Sequence, residues 1–291
     1  MIKRFLVLLL AAIMVMGLGM TSALAIDAGE QRVTMGADLT DSERASVYSD
    51  FGIAEGSVKE LKVTNAEERQ YLEGQADESK IGNVALSCIF ITTREEGAGL
   101  NINIKNIKWC TADMYRNALQ TAGIYDADII ISAPHAVTGT AALTGIYKAY
   151  EDITGKTLNE EAKEVSISEL LITGELAEAL GAENATELVN ELKLVLDDTQ
   201  NMTDEEVKSE IRRIADELDV EITEEQVDKL LQLCRELEGL DTDQLMERLQ
   251  GINGAMGTLD AVSNAFKSFG KVVSDAFSKI GDFFNSLFGN N

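Results

Sequence analysis

Near residue 157 the apolar residues of this chain change their period, and that change limits the fold more than any motif does. Before it, short runs cluster or alternate as strands do: "RVTMG" (32–36), Val58 to Val63, "NVALSCIFITT" (83–93), "LNINIKNI" (100–107) and "DADIIISA" (126–133). After it, apolar residues recur at helical spacing, as in Val207, Ile211, Ile214 and Leu218, or Val227, Leu230, Cys234 and Leu237. Alternation marks a half-buried strand and a 3.6-residue period marks an amphipathic helix. The chain is therefore predicted to be α+β: a mixed sheet with helices over 26–155, an acidic all-helical region over 156–250, and an amphipathic C-terminal helix over 251–291.

Local signals place the elements. Thr40-Asp41-Ser42-Glu43 and Thr223-Glu224-Glu225-Gln226 are capping boxes, Thr203 opens a further helix, Asn65-Ala66-Glu67-Glu68 starts another, and Thr111 caps one running to about Thr121. The 20-residue spacing of Thr203 and Thr223 fits a weak duplication and fits two similarly capped helices equally well. Leu100, Ile102 and Ile104 alternate with Asn101, Asn103 and Lys105, one buried and one wet face, so this run and 83–93 are expected to form a hairpin through "REEGAG". The apolar run 126–133 is expected to be buried on both faces and to end at Pro134.

The N-terminus carries Lys3 and Arg4, then 16 apolar residues from Phe5 to Met20, then Ala23-Leu24-Ala25. This is the layout of a secretory signal peptide over 1–25, cleaved after Ala25, and the run is short of the ~20 residues a membrane span needs. Without it, 23 basic residues face 50 acidic ones, a balance that disfavours nucleic acid, whose binding requires cations. The acid is uneven, with 18 acidic and 11 basic residues in 26–150 against 29 and 9 in 151–250, which again divides the chain near 157.

Cys88, Cys110 and Cys234 are too few for a disulfide framework. Cys88 alternates with Val84, Leu86 and Phe90, and Cys234 lies on a helical apolar stripe, so both are expected to be buried thiols; a Cys88–Cys110 bridge after export is the alternative. One histidine leaves zinc short of ligands, and no segment has the ligand order of an EF-hand, so neither a metal nor another cofactor is expected.

The stretch "SAPHAVTGTAALTGIYKAYE" (132–151) holds the chain's only proline and only histidine. Strand, break, Gly139-Thr140 and helix is a geometry able to turn backbone amides toward an anion, making Gly139 and Thr140 candidate ligand residues. It matches neither a Walker loop nor a dinucleotide fingerprint. His135 and Ser132 are the candidates for a hydrolytic site, although proximity in sequence does not supply the geometry of a base and nucleophile. A structural role explains more residues: Thr138 or Thr140 capping a helix, Gly139 taking a conformation closed to other residues, and Ala141, Ala142, Gly145 and Ala149 letting that helix lie close on a sheet.

"VTMGADLTDSE" (33–43), "ADMYRNALQTAGIYDADIIISAP" (112–134), "GTAALTGIYKAYE" (139–151) and "ITGELAEALGAENATELVNELK" (172–193) together resemble the YpuA-like family of exported proteins of Gram-positive bacteria, domain of unknown function 1002. The resemblance runs from about residue 30 to about 240. It implies secretion and a cell-envelope setting, and it supplies no catalytic residue.

In the last 28 residues, Phe266, Phe269, Val273, Phe277, Ile280, Phe284 and Leu287 fall on one helical stripe, with Lys267, Lys271 and Lys279 off it. Such a face is expected to meet the protein's own helices, a membrane interface or a partner helix. The expected role is that of an exported, envelope-associated binding or scaffold protein without catalysis, touching an envelope protein or the membrane through this helix. The alternative is a hydrolase or an anion or cell-wall-polymer binder at 132–140.

Overall fold

The computed structural model describes residues 28–241. The expected signal segment and the C-terminal helix with Phe266, Phe269, Phe277, Ile280, Phe284 and Leu287 lie outside the described residues. Five strands and ten helices are described, a mixed α+β fold. In chain order they are β1 (Gln31–Gly36), α1 (Asp41–Phe51), β2 (Glu60–Val63), α2 (Asn65–Leu72), α3 (Glu78–Ile81), β3 (Cys88–Thr93), β4 (Leu100–Ile107), α4 (Ala112–Thr121), β5 (Ala127–Val137), α5 (Ala142–Thr154), α6 (Glu160–Leu180), α7 (Ala182–Leu194), α8 (Leu196–Thr199), α9 (Asp204–Glu217) and α10 (Glu224–Glu238).

The strands form one sheet in the order β2-β1-β3-β5-β4. The expected hairpin does not form: β5 lies between β3 and β4, antiparallel to the first and parallel to the second. The reason is burial. β5 carries Ile129 and Ile131 on one face and Ile130 on the other, so it needs neighbours on both sides, whereas β4 has a polar face and takes the edge. β3 begins at Cys88 rather than near 83, and Val84 is 51% exposed instead of alternating into a core.

Pro134 does not end β5, which runs on to Val137. The register passes from Lys105↔Ser132 to Ile107↔Val137, so four residues of β5 bulge opposite the single Asn106. Pairing with β3 has already stopped at Ser132, and a proline inside a bulge breaks no ladder bond. Asn106, at φ 59, fastens the bulge by donating from Nδ2 to the Ala133 carbonyl at 2.7 Å.

One sheet face packs Val33, Met35, Cys88 and Phe90 against Val47, Tyr48 and Phe51 of α1. The other packs Ile89, Ile91, Ile129 and Ile131 against α4, α5 and α6. α5 lies close at Gly145, where an added Cβ would sit in ordinary contact 3.6 Å from Ile89 and Thr34, and the Thr34 hydroxyl donates to the Gly145 carbonyl at 3.0 Å. Cys88 and Cys110 belong to these two different cores and are free, so the bridge is ruled out; Cys234 is also buried and free.

α6 is the wall shared by the sheet layer and the helical layer. Ile167, Leu170 and Leu171 join the sheet-side core, while Val165, Ile172 and Leu176 join a second core with α7, α9 and α10. Capping boxes at Thr203 and Thr223 start α9 and α10, and the same device starts α1 at Thr40 and α2 at Thr64. Between the layers the buried Lys193 ammonium meets Glu169 at 2.5 Å and donates to the Asn117 carbonyl at 3.0 Å, and Thr121 donates to the other Glu169 oxygen at 2.5 Å.

Candidate functional site

β1 runs parallel to β2, and β4 to β5; β3 is antiparallel to both β1 and β5, so four strands end on the same edge of the sheet. Ligands of open α/β sheets gather outside such carboxyl ends. Here a strap, α3 with residues 82–87, crosses that edge on its way into β3.

The strap is fastened from three sides. At Gly36 the crossing is so close that an added Cβ would lie 2.2 Å from the Ala85 carbonyl oxygen, and Asp38 accepts a bond from the Ala85 amide at 2.7 Å. Arg69 of α2 donates to the Gly82 carbonyl at 3.0 Å and pairs with Glu78 at 2.7 Å. Thr138 and Thr140 donate their hydroxyls to the Lys80 carbonyl, at 2.9 and 2.7 Å. Neither threonine caps α5; its N-cap is Ala141, with no side-chain cap bond. The chemistry that suits a threonine to capping here serves a carbonyl 58 and 60 residues away.

Between the strap and the end of β5 lies an open cavity of about 400 Å³. Ile81, Leu86 and Val137 line it, with Val84, Lys108 and His135 among the residues at its margin. Lys108 and His135 are exposed, and among the described residues neither has an ion-pair partner within 4.0 Å. Glu43, held by the Thr40 capping box, is the carboxylate that feels His135, its pKa lowered first by the Thr40 backbone and last by the imidazole. Lys80 also lines the cavity, but its ammonium is paired with Glu178 and sits 4.4 Å over the Trp109 ring.

The residues singled out in the sequence part company here. His135 lines the cavity; Ser132 does not. Ser132 is buried on the α1 face and donates to Asp50 at 2.7 Å, and Asp50 is itself paired with Lys105. Gly139 and Thr140 are buried behind the wall, and Thr138 and Ala141 line the cavity in their place. Gly139 has φ +100 and no room for a side chain beside Tyr115, whose hydroxyl donates to the Gly139 carbonyl at 2.6 Å. Among the described residues no group of three or more His, Cys, Asp or Glu is placed to hold a metal.

Two larger grooves of about 600 Å³ each flank the end of α10. In one the cations are spent on neighbours, Lys229 on Glu175 and Arg235 on Glu238, both at 2.7 Å. The other is bordered by Asp241, where the described residues stop. The cavity at the strand ends brings the unpaired Lys108 and His135 beside the exposed apolar surface of Val84.

A family model described as protein of unknown function (DUF1002) matches residues 35–252. The chain belongs to the DUF1002 family. It is similar to the uncharacterized protein YpuA of Bacillus subtilis (strain 168), with 33% identity over 291 residues, covering 98% of this chain and 99% of that one. No solved structure matches the chain. The DUF1002 match takes in the strap, the bulge and every residue that lines the cavity. Lys108 and Val84 carry no local sequence signal: Lys108 follows a regular strand, and Val84 looks like part of one until β5 takes the adjacent place.

Proposed function

We propose that this DUF1002 protein is an exported, envelope-associated binding protein that works without catalysing a reaction. The observation that carries the reading is the open cavity at the strand ends, where Lys108 and His135 stand unpaired beside exposed Val84. A cavity of about 400 Å³ falls within the ~300–1,000 Å³ range of small-ligand sites. The Ser132 hydroxyl donates its hydrogen bond to Asp50 rather than to His135, which favours holding over hydrolysis at this joint. Export rests on the signal-like segment 1–25, and envelope contact on the apolar stripe from Phe266 to Leu287.

The test is to express the intact chain in a Gram-positive host, fractionate the cells and sequence the N-terminus of the product. The account predicts a product starting at Ile26 in the envelope fraction, and release into the medium when the chain is ended at residue 256. Product that stays in the cytosol and still begins at Met1 would contradict it.

A further inference from the structure

The cavity also indicates what kind of ligand it takes. Its unpaired basic groups are the Lys108 ammonium and the His135 imidazole. A lysine meets a phosphate as a point charge, able to face any oxygen of the tetrahedral group, and an imidazole N–H adds a second donor. The half-buried Ser87 hydroxyl is a further donor on the same wall. Beside these donors Ile81, Leu86 and Val84 offer apolar surface, and Val84 is one of only two large hydrophobic residues exposed among those described.

The rest of the molecule narrows the source of the phosphate. With 50 acidic residues against 25 basic, the protein as a whole repels anions and anionic bilayers alike, so the local Lys108 ammonium at a small concave cavity is what favours a small soluble anion over a headgroup held in a charged plane. A volume of about 400 Å³ is enough for a phosphate and a few carbon atoms beside it.

Resting on the reading of this protein as a binding protein, we infer that the cavity binds a soluble phosphate ester, the phosphate held by Lys108 and His135 and its carbon portion laid on Val84, Leu86 and Ile81. The strap positions the apolar side and the β5 bulge positions His135, so the site is built from two elements that the Thr138 and Thr140 bonds to Lys80 hold together.

The experiment is calorimetric titration of the protein lacking residues 1–25 with sn-glycerol 3-phosphate at low ionic strength, and flotation with phosphatidylglycerol vesicles in parallel. Lys108→Glu and His135→Ala are compared with Lys156→Glu, which alters another exposed lysine away from the cavity. Lys108→Glu and His135→Ala, both at exposed positions, should keep the parent Tm and weaken phosphate binding by about tenfold or more, while Lys156→Glu should stay close to the parent. Absence of binding by the parent, or equal loss in Lys156→Glu, overturns the inference. So does vesicle flotation that Lys108→Glu abolishes while the soluble ester does not bind. If no ester binds but Lys108→Glu still releases the protein from the envelope fraction, the ligand class is wrong and the binding-protein reading survives; if the protein is never in that fraction, the reading itself has failed.

Discussion

The Trp109 indole packs against Gly174 of α6, where an added Cβ would come within 2.2 Å of the ring. The ring nitrogen donates to Glu178 at 2.7 Å, and the same carboxylate pairs with Lys80, which lies over the ring. Through this stack the strap is tied to the helix that joins both layers. Gly174→Ala should therefore destabilise the protein by about 1–3 kcal/mol, because the clash outweighs the up to ~1 kcal/mol that alanine gains over glycine inside a helix. Urea unfolding followed by Trp109 fluorescence checks this; a variant at or above parental stability would show that the indole is not seated there.

The Lys193–Glu169 pair is about 99% buried on both sides, at 2.5 Å. Desolvation pulls the ammonium below the ordinary lysine range, with Glu169 pulling the other way. Lys193→Met would leave the carboxylate without its countercharge and should cost about 3–5 kcal/mol, whereas adding Glu169→Leu should recover a large part of it. Equal losses in the single and the double variant, measured by chemical denaturation, would contradict a desolvated pair.

Glu68 of α2 is buried beneath the strap with one carboxyl oxygen unbonded, and burial raises its pKa from 4.5 to about 8. Asn65 donates to its other oxygen at 3.3 Å, and Asp38 and Glu67 add like charge. The folded state then keeps a proton between pH 4.5 and about 8 that the unfolded chain has released, so stability falls as pH rises through that window. The parent should lose on the order of a few kcal/mol more than Glu68→Gln between pH 5 and pH 9. Parallel stability-against-pH curves for the two proteins would refute the assignment.

Burial pushes the thiols of Cys88, Cys110 and Cys234 up to about 12, well above the ordinary 9.0. The thiolate is the reactive form, so none should react with a thiol reagent in the native protein at neutral pH, and all three should react once it is unfolded. Rapid labelling of one of them under native conditions would place it at the surface.

Legibility in the sequence followed how local each cause is. The Thr40, Thr203 and Thr223 capping boxes and the Thr111 cap were readable because donor and acceptor lie three residues apart. So was the close packing of α5, since Ala142, Gly145 and Ala149 share a face. The hairpin was misread because adjacent strands in sequence usually pair, and only the two-sided burial of Ile129 to Ile131 draws β5 between them. The expected cap at Thr138 or Thr140 does not form because the acceptor of both, the Lys80 carbonyl, belongs to a distant strap. Of the site, His135 was visible from the strand-proline-glycine pattern, while Lys108, Val84 and the strap were not, because only the crossing at Gly36 brings them to one edge.

The most direct measurement is an amide NMR map of the protein lacking residues 1–25 on addition of sn-glycerol 3-phosphate. The account predicts shifts concentrated at residues 79–87, at Lys108 and at 135–138. Shifts centred on the grooves beside α10, or no shifts at all, would contradict it.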